Sequence, residues 1–296
     1  MRSMDRNTVV VGVDRSDPAR AAVEYAADLA RRRHLRLSVV HAYEPSQYTV
    51  RPTVGWEPQI EGVMRNSAQR VLDDTVEVLG MAYPELDVTS RLEAGSPVAA
   101  LLDESKTAES VVLGSRGAGG FAGLLLGSTT LHVAAHAECP VIAVPSPPDD
   151  EKPRHGVVVG VDGSELSTTA IEFALREASS VGEPLRAVHT WTDPSQVGPG
   201  AMLPLVYDAT LVHKEELRVL AESMAGWAEK FPDVTIELKV VRGHPVRTLV
   251  TEAAGARLLV VGSHGRGAVR SVVLGSVGHG VLHHATGPVA VVHRTD

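Results

Sequence analysis

One cysteine, Cys139, is all the sequence holds, so no disulfide closes within the chain and a reducing compartment is expected. Positive charge is also short. The 28 Lys and Arg against 36 Asp and Glu leave a net charge of −8, which argues against nucleic acid or an anionic membrane as the main partner. No apolar run approaches the ~20 residues that a membrane span needs. Met1-Arg2-Ser3-Met4-Asp5 opens the chain without a signal-like apolar stretch. A cytoplasmic, soluble chain is expected. What is present, 44% hydrophobic and 22% charged residues, suffices for a packed globular core, and 296 residues suggest two domains of ordinary size.

The chain repeats itself. Val9-Val10-Val11-Gly12-Val13-Asp14 recurs as Val157-Val158-Val159-Gly160-Val161-Asp162, and Val40-His41 as Val188-His189. Gly95-Ser96-Pro97 recurs as Gly243-His244-Pro245, and His136 with Pro140-Val141 as His284 with Pro288-Val289. Every pair is 148 residues apart, half of the 296. Such repetition sets the architecture before any local pattern is weighed. The boundaries expected are a first domain over 1–146, a polar, Pro-rich linker over 147–155 and a second domain over 156–296.

Within each half, strand and helix patterns alternate. In the first, residues 8–13 form an apolar strand that runs into Asp14. Ser16 caps a helix with Pro18 in its first turn, and Ala22, Val23, Ala26, Leu29 and Ala30 make its buried face. Arg31, Arg32 and Arg33 sit at its C-terminal turn, where the dipole favours positive charge. A solvated helix end explains that triplet better than a nucleic-acid patch. Strands over 35–41 and 87–92, a long helix near 60–80, a helix from Ser96-Pro97, a central strand, a fourth helix and a last strand over 141–144 complete the half. Alternation of this kind implies an α/β fold with a parallel sheet and right-handed crossovers. Ligands of such sheets sit beyond the strand C-termini where the strand order reverses. Asp14 and the loop after the fourth strand meet there if strands one and four are neighbours.

That loop is the most informative stretch. Gly114-Ser115-Arg116-Gly117, nine residues and Gly127-Ser128-Thr129 recur as Gly262-Ser263-His264-Gly265, nine residues and Gly275-Ser276-Val277. Each copy follows an apolar strand and opens a helix. Glycines let a backbone approach a ligand and turn through positive φ. Uncapped N–H groups at a helix start favour an anion, phosphate above all. Glycines also end strands everywhere, but two copies with one spacing favour an anion site. The loop is not a Walker loop, since neither copy contains Lys, nor a dinucleotide fingerprint, which belongs after the first strand.

Other residues are less decisive. Asp14 and Asp162 serve equally as turn or cap residues and as acceptors for ribose or adenine. A phospho-acceptor receiver domain needs a second acid, an acceptor Asp and a Lys that are absent. His132 and His136 are four apart on a helix, as are His279 and His283, but neither pair recurs at equivalent positions and no metal site is expected. His136 and His284 suit a helix end, and His41 and His189, ending the second strand, are explained by packing. No Ser-His-Asp or Cys-His set can be assembled from repeated positions. Ser128 and Ser276 suit phosphate binding or capping as readily as nucleophilic attack. The halves diverge over 45–66 and 193–214, lengths at which loops are often functional. Asp193 stands where an acid reaches a ribose hydroxyl; the first half has Pro45 there and Glu44 one before it.

Taken together, these motifs resemble tandem universal stress proteins of the actinobacterial type, and the likeness runs almost end to end. Its most specific element, G-x2-G-x9-G-[ST], stands intact twice. The resemblance implies two open, parallel five-stranded sheets of order 3-2-1-4-5 with helices on both faces, and ATP, with magnesium, in each crevice. It implies that Gly12 and Asp14, and Gly160 and Asp162, flank adenine and ribose, and that Ala42 or Thr190 touches the base. Gly114, Gly117, Gly127, Ser128 and Thr129 then surround phosphate in the first half, and Gly262, Gly265, Gly275, Ser276 and Val277 in the second. Arg116 stands opposite His264, and Arg266 opposite Ala118, so the basic side chains near phosphate differ. Pairing through the last strand, as an intramolecular pseudo-dimer or a homodimer, is implied as well. The function expected is that of a nucleotide-dependent stress or regulatory protein rather than an enzyme; the alternative is a slow ATPase or a nucleotidyl or phosphoryl transferase on the same site.

Overall fold

A computed structural model describes residues 6–44, 57–117, 126–146, 153–192, 209–265 and 274–294. The chain divides into two compact units, Met1–Pro148 and Asp149–Asp296. In the first, the described elements are β1 (Thr8–Gly12), α1 (Asp17–Arg33), β2 (Arg36–Tyr43), α2 (Glu57–Ala82), β3 (Val88–Ala94), α3 (Pro97–Ser105), β4 (Ser110–Gly114), α4 (Ser128–His136) and β5 (Val141–Val144). In the second they are β6 (Val157–Gly160), α5 (Glu165–Val181), β7 (Leu185–Trp191), α6 (Ala209–Ser223), α7 (Trp227–Lys230), β8 (Ile236–Arg242), α8 (Pro245–Glu252), β9 (Leu258–Gly262), α9 (Ser276–His284) and β10 (Val289–Val292).

The strands of the first unit lie in the order β3-β2-β1-β4-β5, those of the second in the order β8-β7-β6-β9-β10. All the pairings within each unit are parallel. The expected fold class and strand order are both present. The central strands are fully apolar because both their faces are covered: Val9, Val11, Val111, Val112, Val159 and Val260 expose 0% of their surface. The adjacency on which the crevice depends is also present. Gly12 of β1 is level with Val40 of β2 and Leu113 of β4, so the strand order reverses at β1. In the second unit β6 stands in the same way between β7 and β9.

Helix α1 forms for the reasons the sequence offers. The Ser16 side chain accepts from Ala19 N–H, Pro18 sits in the first turn, and Ala22, Val23, Ala26, Leu29 and Ala30 are buried. Arg31 and Arg32 both pair with Asp28 one turn back, so the basic triplet belongs to the helix end. Strands β2 and β3 run to Tyr43 and Ala94, two residues past the ends expected from the sequence, because their last residues pair with each other. The halves differ in one element. Where α2 is continuous over 26 residues, the second unit has α6 and then the four-residue α7. Gly226, at the position of Val78, has φ 77° and caps α7. A left-handed residue breaks a helix, and only glycine adopts that backbone without cost. Cys139 is buried and in no disulfide, and burial pushes its thiol up to about 12, so it is a core residue and not a nucleophile.

Candidate functional site

Each unit has one crevice at the C-terminal ends of its central strands. The first encloses about 470 Å³ and the second about 430 Å³, in the range of small-molecule sites. Gly12, Asp14, Ala42, Gly114, Arg116, Gly117, Gly127, Ser128 and Thr129 all line the first. Gly160, Asp162, Thr190, Gly262, His264, Gly265, Gly275, Ser276 and Val277 all line the second. Asp193 and Arg266 lie outside the described residues.

The glycine loop closes on itself and on the acid. Gly127 N–H donates to Ser115 O at 2.7 Å, and Gly275 N–H to Ser263 O at 2.8 Å. The loop is thereby pinned to the end of its strand, and α4 and α9 begin at the crevice wall. Gly127 and Gly275 are the N-caps and supply no side chain to the first-turn N–H groups, which leaves those donors for an anion. A Cβ added at Gly117 would stand 2.8 Å from Asp14 Oδ2, and one at Gly265 2.8 Å from Asp162 Oδ2. The acid after the first strand and the second glycine of the loop are thus in contact in both units. This contact is the local reason for glycine there.

The loop glycines are not explained by positive φ, as the sequence suggested. Gly127 has φ −77° and Gly275 φ −60°, backbone that any residue adopts. What Gly12 and Gly160, at the ends of the first strands, lack is room. Gly12 faces Leu113 and Leu101 methyls at 2.5 and 3.2 Å from an added Cβ, and Gly160 faces Leu249 at 3.0 Å. These two glycines seat the strand ends against α3 and α8.

Asp14 and Asp162 both shape the turn after their strand. Asp14 Oδ1 accepts from Ser16 N–H at 2.8 Å, which shapes the turn into α1. Asp162 Oδ1 accepts from Ser164 N–H at 2.9 Å and from the Ser167 hydroxyl at 2.5 Å. Ala19 holds the place of Ser167 in the first unit. Both carboxylates still line their crevices. Asp14→Ala is therefore expected to lose about 1 kcal/mol of stability and Asp162→Ala more, because two hydrogen bonds go. Each is also expected to weaken the binding of a ligand that hydrogen-bonds to the carboxylate by roughly ten- to a hundred-fold. Urea denaturation beside calorimetric titration checks both; stability loss with unchanged affinity would make the acids turn residues only.

Sequence reasoning missed part of the wall. Pro97 and Leu101 line the first crevice, and their counterparts Pro245 and Leu249 the second. The recurrence of Gly95-Ser96-Pro97 as Gly243-His244-Pro245 was the available signal. His41, explained from sequence by packing, also lines the first crevice. Its Nδ1 lies 2.6 Å from Val13 O, as that of His189 lies 2.6 Å from Val161 O. Among the described residues no group of three or more His, Cys, Asp or Glu is placed to hold a metal ion. None of the described helices is long and apolar enough to cross a membrane.

The same crevice, built twice on the same offset, coincides with a match to one family model, described as Universal stress protein family, over residues 6–145 and again over 154–293. The chain belongs to the universal stress protein family. Universal stress protein Rv2005c of Mycobacterium tuberculosis is 39% identical over 296 residues, covering 97% of each chain. Universal stress protein Rv2623 of the same organism is 37% identical over 300 residues, covering 97% of this chain and 96% of its own. Among solved structures, a universal stress protein from Archaeoglobus fulgidus superposes with a TM-score of 0.72 at 22% identity, over 99% of this chain and 98% of its own. At that identity the likeness speaks for the fold.

Proposed function

We propose that this universal stress protein binds an adenine nucleotide in each unit and acts as a nucleotide-dependent regulator in the response to stress. The observation that carries the proposal is the convergence, in both units, of a carboxylate, a glycine loop and a helix N-terminus without a side-chain cap on one crevice. Phosphates lie over the loop, against Gly117, Gly127, Ser128 and Thr129 or Gly265, Gly275, Ser276 and Val277. The sugar meets Asp14 or Asp162, and the base lies toward Gly12 and Ala42 or Gly160 and Thr190. Arg116 adds charge beside the phosphates and His264 stands in its place in the second site, with Arg266 and Asp193 as further contacts there. ATP is the nucleotide proposed. Magnesium comes with its phosphates and water, since among the described residues a single acid, Asp14 or Asp162, lines each crevice.

Holding rather than turnover is the activity proposed. Fast phosphoryl transfer needs an oriented water, a positioning base and concentrated positive charge at the γ-phosphate. Among the described residues no Lys or Glu lines either crevice, and each Asp is engaged with its own turn. Phosphate release with magnesium is expected far below the roughly one per second of working enzymes. Turnover at that rate, lost in a Gly127→Ala/Gly275→Ala chain, would make the protein an enzyme. The proposal extends to domains over 1–146 and 156–296 joined by 147–155, to a pseudo-dimer of the two repeats and to a cytoplasmic site of action. Mass spectrometry of the small molecules released from the purified, denatured protein tests it. An adenine nucleotide is expected; a ligand of another class would overturn the assignment.

A further inference from the structure

The two crevices differ at a histidine that the sequence makes equivalent. His41 in β2 and His189 in β7 each place Nδ1 2.6 Å from a carbonyl oxygen, that of Val13 or Val161. A carbonyl oxygen only accepts, so Nδ1 carries a proton in both rings. In a neutral ring the other nitrogen, Nε2, is then a bare acceptor. In the second unit Nε2 lies 2.7 Å from Glu216 Oε2 on α6. His189 is 4% exposed and is absent from the lining of its crevice. In the first unit the place of Glu216 is taken by Ala68, which has nothing to offer. His41 is half-buried and lines the crevice beside Ala42, and among the described residues its Nε2 has no hydrogen-bond partner.

We infer that His41 is a specificity-determining contact of the N-terminal site, its Nε2 accepting from an amino group on the edge of the base, and that the C-terminal site lacks this contact because Glu216 holds His189. The inference rests on the nucleotide-binding proposal above. Val13, Val40, Leu101 and Leu113 line the same crevice, apolar surface that suits the faces of a purine. A purine with an exocyclic amine presents a donor to Nε2. A 6-oxo purine presents an acceptor to an acceptor, and a half-buried polar pair left unmatched is disfavoured. The N-terminal site therefore distinguishes ATP from inosine triphosphate, and the C-terminal site does not.

Calorimetric titration of the full chain with each nucleotide, for the parent, His41→Asn and Glu216→Ala, tests this. The Asn amide can still donate to Val13 O but has no group in place of Nε2. In the parent, one of two sites is expected to bind inosine triphosphate about tenfold more weakly than ATP. His41→Asn is expected to erase that preference, and Glu216→Ala, which frees His189 Nε2, to keep it at the first site and extend it to the second. Equal binding of the two nucleotides by the parent, or a preference that survives His41→Asn, overturns the inference while nucleotide binding stands. Absence of binding by either nucleotide overturns both. Should His41→Asn fail to fold, nitrogen NMR of the histidine-labelled parent decides. The Nε2 resonance of His41 is expected to move with ATP and not with inosine triphosphate, and identical responses to the two would contradict the assignment.

Discussion

Replacing Gly127 and Gly275 together by alanine is expected to abolish nucleotide binding in a chain that still folds. Both residues have backbone angles open to alanine, so no φ strain arises. An alanine Cβ at 127 would stand 3.4 Å from Arg116 Cα and 3.5 Å from Gly117 N, ordinary contacts. At 275 it would stand 3.2 Å from Ser263 O and 3.3 Å from His264 Cα, tighter contacts that cost about 1 kcal/mol. The two methyl groups nevertheless occupy the helix N-cap beside the loop backbone, where a phosphate would have to seat. Losing two or more charge-assisted hydrogen bonds per site weakens binding by at least about a hundred-fold. Calorimetry and thermal melting of the double variant check this. Parental affinity would place the phosphates elsewhere.

Gly114→Ala is expected to have the largest effect on stability, and Gly262→Ala a smaller one, although the two sit at the same place in identical motifs. A Cβ at 114 would lie 2.7 Å from the Pro18 carbonyl carbon, 2.8 Å from Ala19 N and 2.9 Å from Pro18 Cβ. Backbone and a proline ring cannot step aside, so the first turn of α1 must leave β4. A loss of about 3 kcal/mol or more follows. At 262 the added Cβ would meet Leu166 side-chain atoms and His264 O, each at 3.2 Å. Leu166, in the place of Pro18, can change rotamer, and about 1 kcal/mol is expected. Urea denaturation of the two variants, followed by circular dichroism, measures the difference. Equal losses would mean that Pro18 does not set the packing of the loop.

Much of this was legible in the sequence because it depends on pattern. Apolar runs such as Val9-Val10-Val11 read as covered parallel strands, and Ser16 with Pro18 as a helix start, since the physics that favours them is local. One offset of 148 residues then carried each assignment from one half to the other. The meeting of Asp14 with Gly117 was legible only through the adjacency of strands one and four, which alternation suggests but does not dictate. What escaped depends on side chains distant in sequence. The need for glycine at 12 comes from Leu101 and Leu113, and at 114 from Pro18, not from φ. The break between α6 and α7 turns on Gly226 standing where the first half has Val78. The different fates of His41 and His189 turn on Ala68 against Glu216, a helix away from the motif that carries the histidine.

The central claim is that the chain holds an adenine nucleotide in each of two crevices. Calorimetric titration of the full chain, stripped of small molecules, with ATP and magnesium tests it most directly. A stoichiometry approaching two nucleotides per chain is predicted, falling toward one when either Gly127 or Gly275 alone becomes alanine. No heat and no rise in melting temperature at millimolar ATP would contradict the account.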